Sequence, residues 1–433
     1  MKNIENTIRD LLNNNICELI NSRLFFQNPE TDFTRNRKLP ANDVVKAFLG
    51  MNGGVLANEL YEYFKYNIDT PTASAFIQQN DKILPEFYEF LLHYFTSQLK
   101  RPKTFMGYHL LACDGSTINI RTDKNDMITY IKSNKFNGYN AIHLNALYDL
   151  ENHIYTNIYL QKGVGSEKEA FRQMIKTGDF NQKTIFIADR GYENYNLFAN
   201  IEQQDMKYLV RIKDVGSTGI LKKYGLPTDR EFDIHIHPIL TKKQTNIIKN
   251  SNKNYVYVPS HSEFDFIDLH TNFCYEMDIR IVRIEIAPGE YECLATNLDE
   301  SKFSKSIIKE MYHKRWGIET SFRELKYNIG LTHLHSIKID TILKEIYSKL
   351  IMFNYCMAII YGVAINKKTD TYMYQSNIHL AVRFCKESFR LNNNSINVCF
   401  LISQNLVPIR PNRQHKRNIL PKGVVCFQYR VAA

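Results

Sequence analysis

Between residues 107 and 212 the hydrophobic period of the sequence changes again and again, and this constrains the fold more than any other feature of the 433-residue chain. "YHLLACDGSTINI" (108–120) reads as a strand, and "AIHLNALYDL" (141–150) and "HIYTNIYLQ" (153–161) face each other across "ENH" like a hairpin. "SEKEAFRQMIK" (166–176) then has helical spacing with Ser166 as its cap, and "TIFIAD" (184–189) is a short buried strand. "ENYNLFANIEQQ" (193–204) is helical and "KYLVRI" (207–212) is a strand again. Hairpin-type strands followed by helix, strand, helix, strand predict an α/β fold: a mixed sheet with flanking helices, whose functional carboxylates sit at strand ends.

The flanks differ. Residues 1–100 read as helical: "PANDVVKAFLGM" (40–51), "GGVLANELYEYFK" (53–65) after a Gly-Gly break, and "PTASAFIQQNDKIL" (71–84) with Thr72 as N-cap. Three short helices suit either a helix-turn-helix-like DNA reader or a plain bundle. In the first reading Ser74, Gln78 and Gln79 face a groove while Arg35, Arg37 and Lys38 touch phosphate. Residues 214–300 hold short strand-like runs such as "KNYVYVPS", "EMDIRIVRIEIA" and "GEYECLATNL", and read as a β-rich insertion. A helix around 312–326, an apolar helix at 341–365, a further helical stretch and the basic tail "RPNRQHKRNILPKG" close the chain.

Charge is uneven. Residues 1–300 carry 34 Lys and Arg against 38 Asp and Glu, whereas residues 301–433 carry 21 against 7, so the whole +10 excess lies in the last third. A polyanion partner or a solvated basic surface both account for that. The eight cysteines stand singly with no C-x-x-C pair, as expected of reduced, buried thiols in a cytoplasmic protein. Lys349 and Asn354 interrupt the most apolar window, which therefore reads as a buried helix and not a membrane span. "MKNIENTIRDLLNNNICELI" lacks the apolar run of an export signal.

The stretch "YHKRWGIETSFRELK" (312–326) holds the densest constellation. On a helix, Arg315, Glu319 and Lys326 fall at roughly 300°, 340° and 320° from Tyr312, within an arc of about 60°. Met311, Ile318, Phe322 and Leu325 form an apolar stripe beside it, while His313, Thr320 and Glu324 lie on a solvated edge. Alone, this is an amphipathic surface helix with an Arg315–Glu319 pair. Two further acids add to it: Asp114 and Asp189 each end an apolar strand and precede a turn glycine. Two such aspartates with one glutamate make an open, oxygen-only set suited to Mg²⁺, the ion of two-metal phosphoryl transfer.

"DGST", "ADRGYENYNL" and the spacing Y-x-x-R-x-x-x-E-x-x-x-x-x-x-K resemble the DDE transposases of bacterial insertion sequences, in particular the insertion-sequence-four family. "LATNL" and "GLTHLHS" extend the likeness over nearly all of residues 30–430. The resemblance implies a ribonuclease H-like core in which Asp114, Asp189 and Glu319 are catalytic and hold Mg²⁺, with Mn²⁺ able to substitute. It implies that Tyr312, Arg315 and Lys326 engage transposon-end DNA. Trp316 is a candidate for base stacking or for core packing, and Arg190 for a phosphate contact or for pairing with a core acid. The expected division is a helical DNA-binding domain (1–104), a catalytic core (105–213 and 301–365) around the insertion (214–300), and a C-terminal region (366–433).

The function implied is cut-and-paste transposition by a nucleoid-associated bacterial protein, a homodimer on paired terminal inverted repeats, with double-stranded target DNA as second substrate and no membrane partner. The alternatives are a catalytically silent terminal-repeat-binding repressor or domesticated transposase, a metal-dependent nuclease without strand transfer, and an interaction protein without DNA contact. His235 and His237 have a zinc-compatible spacing but no evident third ligand, and read as ordinary strand residues. "GVGSEKEA" lacks the ending of a phosphate loop.

Overall fold

The computed structural model describes residues 2–35, 38–132, 138–163, 165–250, 254–269, 271, 273–365, 372–391 and 396–410. Arg37, Cys426 and the basic tail beyond Arg410 lie outside the described residues. Five helices open the chain: α1 (Lys2–Ser22), α2 (Ala41–Gly50), α3 (Leu56–Tyr63), α4 (Ala73–Asn80) and α5 (Pro85–Gln98). As expected, Thr72 caps α4, its hydroxyl accepting from the Ala75 amide at 3.2 Å. Next come β1 (His109–Ile120), β2 (Tyr130–Ile131), β3 (Tyr139–Asp149), β4 (Ile154–Lys162), α6 (Glu167–Thr177), β5 (Thr184–Ala188), α7 (Tyr195–Glu202) and β6 (Lys207–Ile212). The region 214–300 contributes β7 (Phe232–Ile236), β8 (Ile239–Thr241), α8 (Asn246–Lys249), β9 (Tyr255–Tyr257), β10 (Tyr275–Glu276), β11 (Ile279–Ala287) and β12 (Glu290–Thr296). The chain continues through α9 (Lys305–Lys314), α10 (Trp316–Glu324), α11 (Ile339–Ile360), β13 (Met373–Ser376), α12 (Ile378–Leu391), α13 (Val398–Gln404) and β14 (Leu406–Ile409).

The central sheet runs β2-β3-β1-β5-β6-β12-β11-β7, with β4 on β3. β3 is antiparallel to β1, whereas β5 and β6 follow parallel, so the sheet is mixed as its sequence predicted. Three strands of the 214–300 region extend this sheet, beginning with β12 antiparallel on β6, while β8, β9 and β10 form a sheet of their own.

Side chains of a strand alternate between faces, and β1 feeds two cores. Leu110 and Ala112 pack in one apolar cluster with α5, α10, α11 and α12, and Leu111 and Cys113 in another with α6 and α7. The first cluster also takes in Leu12, Val44, Phe48 and Leu91, so the N-terminal helices share a core with α11 and one face of the sheet. The polar residues of α11 do structural work there. Lys349 donates to the Asn52 carbonyl at 2.9 Å and also to that of Met51, closing the C-terminal end of α2. The fully buried Asn354 joins α11 to Thr96 and to the Tyr155 backbone. Among the described residues no helix is long and apolar enough to cross a membrane.

Two details correct the sequence reading. Gly115 is not a turn residue: β1 continues through it, paired with Asn145 of β3. A Cβ at 115 would stand 2.5 Å from His143 Nε2 and 2.7 Å from Glu167 Oε1, which pair with each other at 3.1 Å, so this glycine makes room for that pair. The helix around 312–326 is also not uniform. It tightens at Arg315, whose amide bonds the Tyr312 carbonyl, and relaxes into a π-helical turn over Leu325–Ile329 before Gly330 in the left-handed region.

Candidate active site

Strand pairing places the two aspartates. Cys113 of β1 is paired with Ala188 of β5, and Asp114 and Asp189 are the next residues of these parallel neighbours, whose spacing is about 4.8 Å. Ala112 and Ile187 lie in the cluster shared with α10, and alternation sends Asp114 and Asp189 to that same face. β5 stops at Ala188, where Asp189 caps a short 3-10 turn by accepting from the Gly191 amide at 2.7 Å. Asp114 accepts from its neighbour's amide, Gly115, at 2.8 Å.

Glu319 arrives on α10. The stripe of Met311, Ile318, Phe322 and Leu325 is buried as its spacing predicted. Phe322 stacks on Tyr155 of β4, whose hydroxyl meets Ser321 Oγ at 2.9 Å. Gly317 permits the close approach, since a Cβ there would lie 2.9 Å from Leu150 Cδ2. Sequence reasoning passed over Gly317 and Ser321, and the small residues flanking Ile318 were the available signal.

The carboxylates feel one another. Asp114 is pushed up to about 6, chiefly by burial; the Gly115 bond and the Arg315 guanidinium oppose the rise, and the charges of Asp189 and Glu319 add to it. Arg315, 5% exposed, donates through Nη2 to Glu319 Oε1 at 2.9 Å and lies over the Trp316 ring at 4.8 Å. The nearly buried Tyr312 hydroxyl and Arg315 Nε find no hydrogen-bond partner among the described residues. Lys326, within the π turn, donates to the Thr117 carbonyl three residues beyond Asp114. Trp316 is 45% exposed and therefore not a core residue. Arg190 is exposed and makes no ion pair with an acid among the described residues.

Among the described residues no three His, Cys, Asp or Glu side chains stand close enough to ligate one ion. Each carboxylate has a local partner instead: Gly115 for Asp114, Gly191 for Asp189 and Arg315 for Glu319. The donor set still fits a divalent cation. Asp114, raised chiefly by burial and further by two acidic neighbours, marks a place where added positive charge is favourable, and hard oxygen donors suit a divalent ion such as Mg²⁺ or Mn²⁺. His235, in β7, and His237 instead share Asp278, at 2.7 and 3.5 Å.

The transposase DDE domain matches residues 106–355, more than half of the sequence and the span that contains all three acids. The chain belongs to this family. No curated protein matches it. Among solved structures, the piggyBac transposase synaptic complex with hairpin DNA aligns over 95% of this chain and 87% of that one, at 12% identity and a TM-score of 0.47. Within the transposase DDE domain, one expectation about α10 needs correction. Glu324 is not a solvated residue: burial pushes it up to about 7 against the opposing charge of Arg323.

Glu324 therefore contributes a pH dependence of stability. Its unfolded value is near 4.5, so between there and about 7 the folded protein keeps a proton that the unfolded chain has lost. The contribution is fully present below 4.5 and is lost as pH rises through 7. Glu324→Gln is expected to gain stability of order 1 kcal/mol over the parent at pH 8 but not at pH 4.5. Denaturation of both proteins across this range checks it, and parallel curves would contradict it.

Proposed function

We propose that this member of the family is a cut-and-paste DNA transposase of the insertion-sequence-four type, with a ribonuclease H-like core. Support for the core comes from the order β4-β3-β1-β5-β6, antiparallel strands leading into parallel ones, with Asp114 in β1 and Asp189 directly after its parallel neighbour β5. The observation that carries the reading is that Asp114 and Asp189 directly follow a paired Cys113 and Ala188 on neighbouring parallel strands, with Glu319 near enough for its charge to raise Asp114.

Asp114, Asp189 and Glu319 would hold Mg²⁺, or Mn²⁺ in its place, and such ions supply an activated oxygen nucleophile and charge stabilisation at the leaving oxygen. The chain's own residues orient the DNA. Tyr312 and Arg315 present N–H and O–H donors to a phosphate next to the carboxylates, and a guanidinium matches phosphate geometry. Lys326 fixes the π turn onto β1, and the exposed Trp316 offers a ring face for an unpaired base. Arg190 adds a phosphate contact beside Asp189. In α4, Ser74 and Gln78 are exposed, which suits groove contact by the helical region 1–104, and Lys38 lines a cleft with Gln78 and Arg35 another with Gln79. Pairing of two terminal inverted repeats calls for a homodimer, and the bacterial cytoplasm is the setting.

Purified protein incubated with DNA bearing the inverted repeats that flank its reading frame tests this. Cutting at the repeat ends and joining to a second duplex are expected with Mg²⁺, and neither with EDTA. Cutting undiminished by EDTA would refute the assignment.

A further inference from the structure

A basin of about 810 Å³ opens beside Asp189, on the side of the β5 and β6 ends. Lys168, Arg190, Lys213, Lys222 and Lys223 line it against only two acids, Asp189 and Glu193. Glu193 is committed elsewhere: its two carboxylate oxygens accept from the backbone amides of Lys213 at 2.9 Å and Ile220 at 2.7 Å, and so hold the basin's wall. Three of the cations are held in place. Lys168 Nζ donates to the Glu193 carbonyl at 2.9 Å, Lys213 Nζ to Thr218 at 2.9 Å and Lys223 Nζ to Tyr255 at 3.1 Å. A lysine ammonium has three donors, so each of these keeps hydrogens for an anion while its stem is already ordered.

We propose that this basin binds the phosphodiester backbone of a DNA strand running away from the reacting phosphate, apart from the cleft of Tyr312, Arg315 and Trp316, with which it shares no lining residue. The proposal rests on the transposase reading and adds the path of a second stretch of backbone. A strand bound at the carboxylates must leave in two directions. The basin wall shares Asp189 with the carboxylate site, so one of those directions can pass over it. Five cations around an open groove suit several successive phosphates, not one small anion. Two sources share this chemistry: the flank beyond the transposon end, and the target duplex.

The test compares full-length parent with Lys213→Gln/Lys222→Gln/Lys223→Gln. Binding is measured without divalent metal on a flanked end and on a pre-cut end, and joining of the pre-cut end to a target plasmid is measured with Mg²⁺. A flank in the basin predicts at least tenfold weaker binding of the flanked end only, with a log K against log[salt] slope shallower by about 2–3. A target strand there predicts joining reduced at least tenfold more than cutting. Lys222→Glu/Lys223→Glu, at two exposed positions, is expected to act in the same direction and needs no change to a buried group. Affinity, salt slope and joining equal to the parent in both variants would overturn the proposal while leaving the transposase reading intact. A parent that binds neither DNA would overturn both.

Discussion

Glu319→Gln is expected to lower end cutting by on the order of 10³-fold or more, the scale of loss when one member of a catalytic unit is removed. The amide keeps an oxygen that can accept from Arg315, so the 2.9 Å contact and the buried guanidinium retain a partner. Binding of end DNA is expected to persist, because Tyr312, Arg315 and Lys326 are untouched. Loss of one acidic neighbour is also expected to bring Asp114 down from about 6. Cutting and binding measured on the same labelled DNA check the pair of results. Retained cutting would remove Glu319 from the catalytic set, and a common loss of binding and cutting would make it a structural residue.

The second large effect concerns stability. Asn354→Ala is expected to destabilise the fold by about 3–5 kcal/mol, since buried unpaired donors and acceptors cost about 1–3 kcal/mol each. The amide of Asn354 donates to Thr96 Oγ1 at 2.9 Å and to the Tyr155 carbonyl at 2.8 Å, and its oxygen accepts from the Tyr155 amide at 2.9 Å. Truncation orphans both backbone groups of Tyr155 in a region with no exposed surface. Tyr155 also holds Ser321 of α10, so activity is expected to fall with stability. Urea denaturation of parent and variant checks this, and a change below about 1 kcal/mol would show that the network is not what joins α11 to the sheet.

Much of this fold is legible in the sequence because period and burial agree. The strands and helices between 107 and 212 fall where alternation and helical spacing place them, and Ser166, like Thr72, caps its helix through its side chain. The buried stripe of α10 follows from spacing as well. What was missed depends on contacts distant in sequence. Asp-Gly reads locally as a turn, and only the His143–Glu167 pair explains a glycine inside β1. A helical wheel puts Glu324 in solvent because it carries no information on Tyr148 and Tyr361, aromatic residues whose ionisation Glu324 influences. That β12 extends the core sheet through β6 is equally invisible to local patterning, as is the ordering of Lys168, Lys213 and Lys223 by carbonyls up to 32 residues away. The three acids were singled out by their strand-end and helix positions, with a motif resemblance added to that; register and alternation supply the physical reason that two of them share a face.

Diffraction from the protein bound to end DNA in Mn²⁺ tests the central claim most directly, because anomalous scattering locates the ion without reference to activity. Manganese is expected within about 2.0–2.3 Å of carboxylate oxygens of Asp114, Asp189 and Glu319, with the reacting phosphate alongside. Manganese ligated by other residues, or three carboxylates that stay apart with DNA and metal both bound, would contradict it.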